Sequence, residues 1–231
     1  MARQPRIDLA GYTYHVINRA SGRVPIFKTE KDFLQFEKVL VEAKKLVDVD
    51  IDAFCIMPNH FHFALRPKRD GDLQKFMGWL TKTQTQRWHA SHDTIGHGHL
   101  YQGRYKSFIV HTDSYYVALM QYIEQNPLRA GLVKRSDDWK WGSLYWRLKG
   151  IKEQQTLLSE WEVPRPKEYL TQVNLLQKKE TLNEIRASIE KGSPLGGVEW
   201  KLALIESFGL EYTTRKVGRP INGSCEPPPK T

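Results

Sequence analysis

The stretch Met57-Pro58-Asn59-His60-Phe61-His62-Phe63 restricts the fold more than any other part of the chain. A Pro-Asn turn is followed by strict alternation of imidazole and phenyl rings. In a strand, successive side chains point to opposite faces, so His60 and His62 share one face while Phe61, Phe63 and Leu65 share the other. The apolar set can be buried while two imidazoles stand side by side, spaced to grip one metal ion. The same residues also fit a strand with two half-exposed histidines, and the short motif alone leaves both readings open.

The neighbouring segments place this strand in a sheet. Val49 to Met57 reads as the preceding strand, with Pro58-Asn59 as a tight antiparallel connection. Gly11 to Arg19 is rich in β-formers and predicts a first strand. Thr29 to Lys45 carries a helical stripe of Phe33, Phe36, Leu40 and Ala43, with Thr29 as N-cap. Leu73, Phe76, Met77, Leu80 and Trp88 mark a second helix over Asp72 to Ala90. Arg104 to Val110 is a fourth strand, and Thr112-Asp113 can cap a helix from Ser114 to Glu124. Pro127 disfavours helical geometry at Asn126 and ends that helix. This order predicts an α+β fold, a ferredoxin-like antiparallel sheet with packed helices.

A composition shift near Lys149 divides the chain into a main domain, residues 1–150, and an extension, residues 151–231. Gln154 to Pro166 reads as a connecting strap. Thr181-Leu182-Asn183-Glu184 is a capping-box pattern opening a helix to Lys191. A Gly-rich break at 192–197 separates it from a second helix, Val198 to Phe208, stopped by Gly209. The pair fits a helix-turn-helix-like reader of a groove. It fits equally well a docked pair packed through Trp200, Leu204 and Phe208. From Glu211 the chain reads as a flexible basic tail.

Among 231 residues, 40% are hydrophobic, enough for a real core, and the formal net charge of +9 favours a polyanionic partner, nucleic acid before membrane. Two distant cysteines, Cys55 and Cys225, make neither a disulfide framework nor a cysteine-rich zinc site. Neither a signal peptide nor a long apolar run is evident, which predicts a soluble, cytoplasmic protein without a membrane partner.

Tyr122 and Asn126 are four apart, one turn from each other on one side of a helix. A tyrosine hydroxyl is a poor nucleophile at its ordinary pKa of about 10. It becomes useful where a metal takes up charge developing on a phosphodiester. Two imidazoles and one amide oxygen would hold a divalent ion with positions open for substrate, a set that suits Mg²⁺ or Mn²⁺ and tolerates Zn²⁺. By spacing alone Tyr122 is equally a core tyrosine, and Tyr115 and Tyr116 are rival nucleophiles. His97 and His99 lie in a Gly-rich loop and read as a surface turn before they read as ligands. Arg104 and Lys106 alternate with Tyr105, a mix suited to phosphate contact and base stacking. Arg129, just beyond the helix, is a further phosphate candidate.

Pro58-Asn59-His60-Phe61-His62, taken with Tyr122-Ile123-Glu124-Gln125-Asn126-Pro127-Leu128-Arg129-Ala130-Gly131-Leu132-Val133, resembles the single-tyrosine HUH transposases. The REP-associated tyrosine transposases look most similar. His99 to Ser107, Trp139 to Ser143 and Tyr14 to Arg19 carry the same resemblance, which spans residues 10 to 150 in order. It implies the HUH endonuclease fold, with His60 and His62 as metal ligands, Tyr122 as nucleophile and Asn126 as the residue completing the metal site. It further implies metal-dependent cleavage and strand transfer of single-stranded or hairpin DNA through a 5′-phosphotyrosine, in a nucleoid-associated protein. A non-catalytic hairpin binder and a nuclease without a covalent intermediate are the alternatives. Relatives complete the site within one chain or across two; a monomer is preferred here, with a homodimer as the alternative. The extension is similar to that of larger REP-associated proteins. Arg215, Lys216 and Arg219 are its DNA-binding candidates, Gly218-Arg219-Pro220 being akin to a minor-groove hook.

Overall fold

A computed structural model describes residues 6–214. Arg215, Lys216 and Arg219 lie outside the described residues. The chain runs β1 (Thr13–Arg19), α1 (Glu30–Leu46), β2 (Val49–Met57), β3 (His60–Pro67), α2 (Asp72–Ser91), β4 (Lys106–Val110) and α3 (Ser114–Glu124). Three short helices follow around α5, namely α4 (Asn126–Arg129), α5 (Ser143–Lys149) and α6 (Lys152–Leu157), then α7 (Tyr169–Gln172). The extension closes with α8 (Lys179–Lys191) and α9 (Val198–Phe208).

The four strands form one antiparallel sheet in the order β2-β3-β1-β4, the ferredoxin-like arrangement expected from the element order. The alternation along β3 settles the two faces. Phe61, Phe63 and Leu65 are fully buried, and Phe36 of α1 lies 5.3 Å from the Phe61 ring centroid, so α1 and α2 cover that face. The opposite face, carrying Ala53, Cys55, Ala64 and Phe108, packs on Tyr116, Leu119, Met120 and Ile123 of α3. Burying both faces accounts for the near-continuous apolar run of β2.

Local chemistry fixes the helix ends. Thr29 is the N-cap of α1, and the Asp32 carboxylate completes the cap by accepting hydrogen bonds from the Lys28 and Thr29 N–H groups at 2.9 Å each. Asp113 accepts from Tyr115 N–H at 2.8 Å and caps α3. Helix α3 ends at Glu124 as expected, but Asn126 is itself helical and opens α4, because Pro127 suits the first turn of a new helix. Likewise α8 begins at Lys179, two residues ahead of the Thr181 capping box, since the Lys178 carbonyl already accepts from Leu182 N–H.

Both outer strands are covered. Gly142 bridges Cys55 at the free side of β2, and Leu195 pairs in parallel with Val110 at the free side of β4. Leu195 N–H donates to the Ile109 carbonyl at 2.9 Å, and His111 N–H donates to the Leu195 carbonyl at 2.8 Å. Covered edges offer no template for another chain.

The residues after 150 thus share the core with the sheet and its helices. Trp200 stacks on His111 at 4.6 Å, Leu204 joins the main core, and Phe208 meets Tyr12 edge-on at 5.9 Å. The Trp200, Leu204 and Phe208 stripe is therefore a packing face. Gly196 allows it, because a Cβ there would come within 2.4 Å of Trp200 Cε3 and 2.8 Å of His111 Cβ. Gly196→Ala should push Trp200 off His111 and cost about 1–3 kcal/mol by overpacking. Thermal denaturation checks this, and an unchanged midpoint would show that the ring can shift freely.

Candidate metal and tyrosine site

Strand register brings the site together. On β1, Arg19 stands opposite His60 and Ile17 opposite His62, while on β3 the two imidazoles sit at ring centroids 5.0 Å apart and nearly perpendicular. Both face α3, which lowers Tyr122 onto them: its ring meets His62 edge-on at 5.7 Å. His62 is 2% exposed and Tyr122 7%. His60, His62 and Tyr122 are therefore neighbours in one chain.

The bonding of each ring tells which nitrogen is left for a ligand. His60 Nδ1 lies 2.6 Å from Asn59 Oδ1, an acceptor, so His60 keeps its proton on Nδ1 and leaves Nε2 as a lone pair. His62 Nδ1 lies 2.9 Å from His15 Nε2. For His62 to offer Nε2, its Nδ1–H donates to His15 Nε2, and His15 then carries its own proton on Nδ1, a buried atom without a partner among the described residues. Burial, with Arg19 and Arg129 nearby, pushes His60 down to about 4. Burial, then the adjacent His60 and His15, holds His62 well below the usual histidine range, and burial takes His15 to about 3. All three rings are neutral at ordinary pH, the state in which imidazole binds metal.

His15 was not among the residues singled out from the sequence, although alternation along β1 puts it on the same face as Ile17 and Arg19. Its neighbour His62 needs one ring nitrogen held and the other free, and such outer partners fix a ligand's tautomer and angle. His15→Phe keeps a ring but removes the acceptor. Mn²⁺ titration should then show affinity about 10- to 100-fold weaker; unchanged affinity would remove His15 from the site.

Asn126 is held differently from the histidines. Its Nδ2 donates to the Tyr122 and Ile123 carbonyls, both at 3.2 Å, and its Oδ1 accepts from Arg129 Nη2 at 2.9 Å. One lone pair of the expected third ligand is thus already engaged. Arg129 also donates to the Tyr122 carbonyl at 2.8 Å and lays its guanidinium over the Tyr122 ring, 4.2 Å from the centroid. Its Nη1 is buried and has no partner among the described residues. Arg129 is therefore a fixed cation beside the tyrosine, with one donor still open.

Other candidates fall elsewhere. Tyr116 is fully buried and accepts from Glu162 N–H, and Tyr115 is partly buried, packed against the core under α3 with Glu184 of α8 nearby. His97 and His99 are exposed in the α2–β4 loop. Arg104 and Lys106 are exposed, but Tyr105 is 5% exposed and its ring is covered by Arg6 at 4.0 Å. The strand begins at Lys106, so the alternation read from Arg104 does not present Tyr105 for base stacking. Among the described residues no group of three or more His, Cys, Asp and Glu could hold a metal.

No described helix is long and apolar enough to cross a membrane. No curated protein matches the chain. The solved structure of a REP-associated tyrosine transposase bound to a REP hairpin is similar, with a TM-score of 0.54 and 19% identity over 67% of this chain and 90% of that one. At that identity the likeness shows the fold. A transposase-like protein of Deinococcus radiodurans R1 aligns over 54% of this chain and 95% of its own at 19% identity, with a TM-score of 0.38, too low to add to it. The family described as IS200-like transposase matches residues 9–126, just over half of the chain. With its sheet, paired histidines and facing tyrosine inside that span, the protein belongs to the IS200-like transposases.

Proposed function

We propose that this transposase cuts and rejoins single-stranded DNA next to a hairpin, through a covalent bond to Tyr122. The observation that carries the reading is the facing of Tyr122 onto His62, beside a second imidazole, with neither Nε2 atom holding a hydrogen-bond partner among the described residues. His60 and His62 would hold a divalent ion, Mg²⁺ or Mn²⁺, with Asn126 Oδ1 as the third ligand. When bound, the ion supplies Lewis-acid stabilisation of charge on the phosphate oxygens.

The protein's own groups do the rest. The Tyr122 hydroxyl gives up its proton as its oxygen bonds to phosphorus, the bond from phosphorus to the 3′-oxygen breaks, and that oxygen takes up a proton to leave as a free 3′-hydroxyl. The product is a 5′-phosphotyrosine, and attack by another 3′-hydroxyl reverses the step and joins strands. Arg129 holds the tyrosine ring and offers Nη1 to a phosphate oxygen. Arg104 and Lys106 contact flanking phosphates. Because His62 and Tyr122 meet within one chain, the reading favours a monomer with its site in cis.

Incubation with a hairpin oligonucleotide carrying a single-stranded flank, in Mn²⁺, tests the proposal. A protein–DNA adduct that survives denaturation, and is absent when EDTA is present, is the expected result. Cleavage without an adduct would favour a nuclease, and binding without cleavage a hairpin-binding protein.

A further inference from the structure

Next to the paired histidines, β1, β4 and the C-terminal turn of α8 enclose an open cleft of about 560 Å³. Its floor continues the site. His62 on β3 stands opposite Ile17 on β1, and Ile17 stands opposite Lys106 on β4, each step about 5 Å across the sheet. Arg19, opposite His60, and Arg104 line the cleft from the sheet side, while Ile189, Glu190 and Lys191 form the facing wall. Lys106 Nζ reaches the Glu190 carbonyl at 3.5 Å, joining floor and wall. Ile189 and Glu190 lie three and four residues beyond Arg186, on one face of α8, so Arg186 continues that wall by a turn. Its charge reaches Arg129 beside Tyr122.

The wall is fixed in place by Leu195, whose pairing with Val110 anchors the chain immediately after α8. Arg19, Arg104, Lys106, Arg186 and Lys191 make no ion pair among the described residues. Four of these, Arg19, Arg104, Lys106 and Lys191, line the cleft against one carboxylate, Glu190, and with Arg186 a turn farther along α8 they mark a site for a polyanion. The volume lies in the range that takes a small ligand, so one or two nucleotides fit and a duplex does not.

We infer that the extension builds the second wall of a channel for the single-stranded flank, with Arg186 and Lys191 gripping phosphates of the strand that leads to Tyr122. This rests on the DNA-cutting reading above and adds a role for α8 in the same chain.

The test is the double substitution R186E/K191E in the full chain, at two exposed positions, with R186Q/K191Q as a milder pair. Fluorescence anisotropy compares a blunt hairpin with the same hairpin carrying a single-stranded flank, over a range of salt. For the flanked probe the charge reversal should weaken affinity about tenfold or more and lower the slope of log K against log salt by about 1.4, two single-strand contacts. Binding of the blunt hairpin should not change. The milder pair, which keeps the helix surface neutral, should move the flanked probe in the same direction by less. Unchanged affinity and slope for the flanked probe, or an equal loss on both probes, would overturn the inference. Wild-type adduct formation, measured on the same samples, keeps the two ideas apart. An adduct with unaltered variant binding removes the α8 wall alone; a flank-specific binding loss without any adduct removes the Tyr122 chemistry alone.

Discussion

Tyr122→Phe should abolish the denaturation-resistant adduct and lower strand cleavage on the order of 10⁴-fold or more, the scale seen when a covalent nucleophile is removed. The substitution deletes one oxygen. The ring keeps its edge contact with His62 at 5.7 Å and stays under the Arg129 guanidinium, so fold and hairpin affinity should remain those of the wild type. That separation makes the result decisive. An adduct surviving in Tyr122→Phe would move the nucleophile to another tyrosine, with Tyr115 next in line. Cleavage surviving without an adduct would make water the nucleophile. Tyr115→Phe should behave as wild type, since Tyr115 packs beside α8.

The second large effect concerns the ligand pair. His60→Ala should remove Mn²⁺ binding and reduce cleavage on the order of 10³-fold, the equivalent of several kcal/mol of charge stabilisation. His62→Ala should match that loss and add another. His62 is the partner of His15, so its removal leaves a second buried ring nitrogen without a bond, at a stability cost of about 1–3 kcal/mol. Metal titration and thermal denaturation, run on both variants, separate the two contributions. Full cleavage by His60→Ala would show that the histidines do not hold the ion.

The sheet was legible because its signals are local. The alternation of His60 to Leu65, the Pro58-Asn59 turn and the stripe of α1 each follow from side-chain periodicity within one segment. So did the pairing of His60 with His62 on one face. What escaped the sequence depends on which strands become neighbours. His15 acquires meaning only once β1 lies against β3 and its ring meets His62. Arg129 read as a phosphate contact, but its bonds to Asn126 and the Tyr122 carbonyl arise from the break between α3 and α4. Tyr105 read as one face of a strand, yet the strand starts one residue later and Arg6 covers the ring. The short helices α6 and α7 bury too little to leave a periodic trace. For α8, the apolar stripe of Leu182, Ile185 and Ile189 says that it packs, but not that it packs beside β4.

The bridge between Val110 and Leu195 bears on how the molecule is made. It joins positions that are far apart in the chain, and such closures form late because the intervening loop must first lose its freedom. During synthesis, β4 can pair with β1 long before Leu195 leaves the ribosome. For that interval the newborn sheet has an open flank, the hazard that partly made chains carry. A gene shortened to the main domain would make that interval permanent. Its product should self-associate through β4, whatever the condition of its histidines and tyrosine.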